Sequence, residues 1–117
     1  RGLAILTTNN EDALDKAFVR RLRTIVQFPF PDAKAREALW RRAFPPGAPV
    51  AGLRGDRLAR LQLSGGAIRN VALTAAFLAA EAQSPIDMRV MREAARIECA
   101  KMKRPLGADE TRDWEAP

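Results

Sequence analysis

Histidine and tyrosine are absent from this sequence, and cysteine occurs once. Without histidine the chain lacks the commonest metal ligand and the commonest general base at neutral pH. Self-contained triad chemistry with a histidine base is therefore excluded. The lone Cys99 rules out an internal disulfide and any cysteine metal cluster, so no metal site is expected. No apolar run approaches the roughly 20 residues that span a bilayer. No membrane partner is expected, and with no visible signal peptide a cytoplasmic protein is the default. Acidic residues are in deficit, 14 against 20 basic ones, which gives a net charge of +6. Arginine supplies 16 of those 20 cations. This balance permits contact with phosphate or nucleic acid, although a solvated Arg-rich surface is its commoner meaning. A basic helical nucleic-acid-binding or assembly module is thus the alternative to carry. Against it, aromatic residues make up only 6% of the chain, too few for a base-stacking surface, and no helix pair has a recognition face. Nor does any G-x-x-x-x-G-K-[ST] phosphate loop occur.

What is present is 117 residues with 47% hydrophobic content, enough for a packed core. Arg1–Gly2 runs into an apolar segment with no Met and no leader, which reads as a piece of something longer. Leu3–Leu6 is a continuous apolar run of the kind found in a strand covered on both faces, and Thr7–Asp12 ends it. Asp15 is placed to cap a short helix over Lys16–Leu22, with Leu14 and Val19 at the positions of a hydrophobic staple and Phe18 and Leu22 on its inner face. Thr24–Phe28, β-branched and aromatic, predicts a second strand. Pro29-Phe30-Pro31 continues neither element and marks a boundary.

Beyond it the pattern is helical. Asp32 predicts a capped helix over Ala33–Phe44 with Ala35, Leu39 and Ala43 on one stripe, widened by Trp40 and Phe44. Asp56 predicts the cap of a short helix carrying Leu58 and Leu61. Ser64 or Gly65 opens a long helix to about Gln83, with Ile68, Val71, Ala72, Ala75, Leu78 and Ala79 buried. A last helix runs from about Asp87 to Lys103, and Met88, Met91, Ala95, Cys99 and Met102 recur along it as a core stripe rather than a methionine metal site. Pro105–Pro117 is polar and expected to fray, with Trp114 its one apolar anchor.

Three places could carry chemistry. Asn9 stands at the carboxyl tip of the first predicted strand, where an amide can orient water or donate to a phosphate oxygen; an ordinary turn asparagine is the simpler meaning. Arg20 and Arg21 close the short helix, either as solvated surface or as guanidinium groups offered to a neighbour's phosphate. Arg69 is placed in the first turn of its helix, where the macrodipole disfavours a cation, directly after Gly65 and Gly66. An anion there would meet backbone N–H groups and a guanidinium together.

In this order these segments resemble the second half of an AAA+ ATPase module. The strand ending in Thr8-Asn9 resembles the sensor-1 strand, whose asparagine helps position the attacking water. Leu14-Asp15-Lys16-Ala17-Phe18-Val19-Arg20-Arg21-Leu22 resembles the helix that carries the arginine finger to the nucleotide of the adjacent subunit. Phe28-Pro29-Phe30-Pro31-Asp32 resembles the crossing from the large domain into the lid, and Ser64-Gly65-Gly66-Ala67-Ile68-Arg69-Asn70 the start of the sensor-2 helix. The Arg-Arg-Leu form and the segment Ala38-Leu39-Trp40-Arg41-Arg42-Ala43-Phe44-Pro45-Pro46 resemble bacterial ATPases encoded beside contractile injection systems.

The resemblance implies a mainly α fold: a four-helix AAA+ lid over residues 32–104, preceded at 1–31 by a strand–helix–strand remnant of the α/β P-loop NTPase core and followed by a polar tail at 105–117. It implies Arg20, Arg21 and Asn9 as catalytic residues, with Arg20 preferred as the finger by its place in the motif. It implies Arg69, Gly65 and Gly66 as nucleotide-binding residues. ATP and Mg would serve as cofactors of the intact parent, the neighbouring subunits of a ring-shaped homo-oligomer as partners, and a remodelled protein as substrate. The phosphate loop and the acidic magnesium-binding strand of that family are missing, so this stretch alone is not expected to hydrolyse ATP. The two orphan strands, normally separated by the phosphate-loop strand, are expected to pair irregularly or to find a strand in another copy.

Overall fold

The computed structural model describes residues 2–8 and 11–115. Among them the chain is mainly helical, with five α-helices: α1 (Lys16–Val19), α2 (Ala33–Ala43), α3 (Gly55–Leu58), α4 (Gly65–Glu81) and α5 (Met88–Lys101). A single 3-10 turn over Glu11–Ala13 precedes α1.

The four later helices share one core. Helix α4 packs against both α5 and α2, and α2 also packs on α3. Ala72, Ala75 and Ala79 on α4 and Ala94 and Ala95 on α5 are buried, and small side chains on both helices let the two backbones approach closely. Ile68, Val71, Met88, Met91 and Cys99 fill the remainder. The long-helix stripe is buried as its spacing predicts, with Leu78 half-buried at its edge. On α5 the stripe shifts: Met102 is exposed at the helix end, and Glu98 takes a buried place beside Cys99.

Side chains from the preceding residue cap four of the five helices. Asp15, Asp32, Ser64 and Asp87 each accept a backbone N–H from the first turn that follows. These bonds satisfy donors that have no intrahelical partner. Helix α3 differs from expectation. Its N-cap is Arg54, which makes no side-chain cap bond, while Asp56 lies within the first turn and pairs with Arg54 at 3.4 Å. Helices α4 and α5 both close with a left-handed residue that is not glycine, Gln83 at φ 52° and Lys103 at φ 55°. Behind each, Ser84 N–H bonds the Ala79 carbonyl and Arg104 N–H the Cys99 carbonyl, both at 2.9 Å. This is the six-to-one bond of a Schellman ending.

The buried stripe of α2 is the predicted one in part: Trp40 is buried and Ala43 and Phe44 pack half-buried against the core. Ala35 and Leu39 are exposed, and Arg36 and Trp40, one turn apart, form the inner face. An aromatic ring with a donor and a long guanidinium-bearing chain can both reach inward to polar acceptors, which alanine cannot. Trp40 Nε1 donates to the Leu58 carbonyl at 3.1 Å, and Arg36 Nε donates to the Ala59 carbonyl at 2.8 Å. The predicted Trp40–Phe44 pair is present, with ring centroids 6.3 Å apart.

Over its described residues, 105–115, the tail does not fray. Trp114 is 2% exposed and belongs to the central cluster. Arg57 donates to the Asp113 carbonyl, Arg60 to the Arg112 carbonyl at 2.7 Å, and Arg92 pairs with Glu115 at 3.1 Å. Glu110 pairs with Arg104 and accepts the N–H groups of Gly107 and Gln62. A polar composition suggested fraying, but here arginines of the body grip backbone carbonyls of the tail while its one large apolar ring fills the core.

The N-terminal region has the opposite character. Neither Leu3–Leu6 nor Thr24–Phe28 is assigned to a strand. Leu3, Ile5, Leu6, Ile25, Val26, Phe28 and Phe30 are all exposed, Phe28 by 90%. Helix α1 ends at Val19, buries no residue, and contacts no other helix among the described residues. Phe18, predicted to face inward, is exposed as well. Both predicted strands are thus corrected to irregular chain. A strand needs a ladder partner for every second backbone group, and these segments form no ladder among the described residues.

Candidate functional site

The predicted site residues that are described fall in two places, the start of α4 and the end of α1. Gly65, Gly66 and Arg69 open α4. Ser64 Oγ accepts Ala67 N–H at 3.2 Å, and the Ser64 carbonyl accepts Ile68 N–H at 2.9 Å. The Gly65 and Gly66 amides have no acceptor within the helix, because the first donors of any α-helix lack one. A Cβ at Gly66 would meet nothing within 4 Å, and one at Gly65 would touch only the end of Leu39, at 3.7 Å. Packing within this chain therefore does not require either glycine.

Arg69 corrects its sequence reading in one respect. With α4 beginning at Gly65, it is the fifth helical residue and opens the second turn. The unfavourable field of the helix end has largely fallen off there. Its side chain is exposed and makes no hydrogen bond or ion pair among the described residues. Arg20 and Arg21 are exposed too; Arg20 is the C-cap of α1, and Arg21 follows it. Since α1 contacts no other helix, the arginine pair and Arg69 stand on separate parts of the molecule. Asn9 lies outside the described residues.

Two surface cavities lie elsewhere. One of about 310 Å³ is formed by the Pro45–Pro49 loop and Ala76, Ala79 and Ala80 of α4. The other, of about 450 Å³, lies between Arg92, Arg96 and Ala100 of α5 and the segment from Pro105 to Thr111. Neither is lined by a predicted site residue.

Sequence reasoning missed two buried polar groups. For Arg36 the signal in the sequence is its i,i+4 spacing from Trp40, which sets both on the inner face of α2. Glu98 accepts the Thr74 hydroxyl at 2.7 Å and Lys101 Nζ at 3.0 Å, tying α5 to α4. The Thr74 hydroxyl is the main influence holding the Glu98 carboxyl below its ordinary value; burial opposes it and Lys101 assists. At Glu110 burial is the largest single influence and pushes the carboxyl up. The Arg104 guanidinium and the Gly107 and Gln62 amides together outweigh it, so the net shift is downward.

No family model, curated protein or solved structure matches this chain. Among the described residues, no helix is long and apolar enough to cross a membrane.

Proposed function

We propose that this chain is the C-terminal part of an oligomeric, cytoplasmic AAA+ ATPase that couples ATP binding and hydrolysis to remodelling of a protein partner. Residues 32–104 form its helical lid, and 1–31 are the trailing edge of its nucleotide-binding core. The observation that carries the reading is the placement of its charged residues around a helical body. Helix α4 opens on Ser64, Gly65 and Gly66 and offers Arg69 to solvent, while Arg20 and Arg21 are offered from an arm whose apolar side chains lie uncovered.

The residues present fit a nucleotide phosphate in part. The Gly65 and Gly66 amides and the Arg69 guanidinium are donors suited to a phosphate oxygen, and open space at Gly66 allows close approach. Bound ATP with Mg supplies the phosphoryl group whose transfer drives the cycle. In a ring, Arg69 would contact the nucleotide of its own subunit, Arg20 or Arg21 would neutralise charge on the neighbour's, and Asn9 would orient water. Pro29–Pro31 would transmit the resulting shift to the lid.

In the complete protein, Arg20→Ala should lower ATP turnover by about 10³-fold or more while ATP affinity changes only a few fold. Unchanged turnover would overturn the finger assignment. Arg69→Ala should weaken nucleotide binding, measured by titration of a fluorescent ATP analogue; wild-type affinity together with wild-type turnover would overturn the sensor assignment. Strong DNA binding that falls steeply with salt would instead favour a basic nucleic-acid module.

A further inference from the structure

Arg36 is a charged side chain only 9% exposed, and no carboxylate pairs with it among the described residues. Its partners are two backbone carbonyls far apart in the chain. Nε donates to Ala59, the C-cap of α3, at 2.8 Å, and Nη1 donates to Pro31, the last residue of the proline step before the α2 cap, at 2.7 Å. The Ala59 carbonyl is among those a helix leaves without an internal donor. A planar guanidinium suits this task because its donors have fixed directions, so two bonds from one plane fix the angle between their acceptors. Trp40, one turn further along α2, donates to Leu58 and holds the same two helices in register.

We propose that Arg36 is a hinge clamp: through Pro31 and Ala59 it locks the proline linker to the helical body and sets the direction in which the apolar arm leaves it. The proline rings fix their own φ angles but leave the linker's final carbonyl free to swing about ψ. Arg36 removes that freedom. With the clamp closed, the linker, α2 and α3 turn as one piece. If the arm and body shift relative to each other during a nucleotide cycle, as the proposed function has it, Arg36 determines whether that shift reaches α3 and, through Arg57 and Arg60, the C-terminal segment.

The clamp is tested without nucleotide, so its failure is separate from failure of the ATPase reading. Spin labels at Phe28→Cys, directly before the proline step, and Glu81→Cys, both exposed positions, report the arm-to-body distance distribution of the full chain in a Cys99→Ala background. The reference chain should give one narrow distribution. Arg36→Met, which keeps the chain length but cannot donate, should at least double its width, whereas Arg41→Met on the exposed side of α2 should leave it unchanged. Circular dichroism and the joint fluorescence of the buried Trp40 and Trp114 establish that the body remains folded. Should Arg36→Met fail to fold, Arg36→Gln, too short to span both carbonyls, decides the matter in the same way. An unchanged width in a folded variant overturns the proposal. Loss of folding in both variants also overturns it, assigning Arg36 to the core alone.

Discussion

The arm before Pro31 and the body after it are built from similar apolar side chains, yet one leaves them in water and the other buries them. Leu3, Ile5, Leu6, Ile25, Val26 and Phe28 are exposed, while Leu58, Leu61, Leu63, Ile68, Val71 and Met91 are buried to 2% exposure or less. The difference lies in what each element supplies for itself. A helix closes its own backbone bonds and presents an apolar stripe at i, i+3 and i+4, so a few helices on short loops can cover one another. A strand closes none of its backbone bonds alone and must be covered by elements that lie elsewhere in a sheet. Apolar sequence in the arm therefore states that these residues are made to be covered, without naming the cover.

The sharpest way to break this comparison is at the far end of the body, in a segment as polar as a loose tail. Trp114→Ala should cost about 3–5 kcal/mol of stability in urea denaturation, the usual range for removing a buried aromatic ring. Trp114→Phe should cost much less. The indole N–H is buried with no hydrogen-bond partner among the described residues, and removing it relieves a desolvation penalty that offsets part of the lost volume. A cost below about 1 kcal/mol for the alanine variant would place the tail with the arm rather than with the body.

This tail also shows where sequence legibility stopped. The helical body could be read closely: Asp32 caps α2 as expected, Ser64 and Asp87, read as helix starts, stand one place before α4 and α5 as their caps, and the Ile68–Ala79 stripe is buried as its period requires. These are local signals, decided within a few residues. The misread parts depend on distant partners. Trp114 needs the core cluster, Arg36 needs a carbonyl 23 residues away, and Glu98 needs a hydroxyl 24 residues away. The two predicted strands fail for the same reason, since β-propensity describes a side chain's fit to a sheet and not the presence of one. Of the candidate site, the start of α4 was legible from Ser64-Gly65-Gly66, but the placement of Arg69 shifted by the length of a cap.

A smaller effect sharpens the account of what holds α5 to α4. Thr74→Val removes the hydroxyl bonded to Glu98 and should cost about 1–2 kcal/mol at neutral pH. Because the folded carboxyl titrates below its ordinary value of 4.5, its contribution is complete above that value and is lost as pH falls through the lower folded value. The stability gap between wild type and Thr74→Val should therefore be constant near neutrality and close in acid. Glu110 is shifted in the same direction and weakens both proteins alike, so the difference between the two denaturation curves isolates Glu98. A gap that does not narrow anywhere on the acid side of 4.5 would assign the cost to packing of the introduced valine and not to the carboxylate.

The smallest expected change in stability is in the arm, and it is the most telling about function. Ile25→Ser with Phe28→Ser should alter the unfolding free energy by no more than about 0.5 kcal/mol, because neither side chain is covered in the native chain. The same pair should reduce binding of a hydrophobic fluorescent dye and any concentration-dependent association seen by sedimentation, since an uncovered apolar surface is where such contacts form. A large loss of stability would mean that these residues are buried against the body in solution. Unchanged stability with lower dye binding would instead mark the arm as a surface made for another partner, which is how the trailing edge of a larger sheet would behave when the helical body already folds by its own contacts.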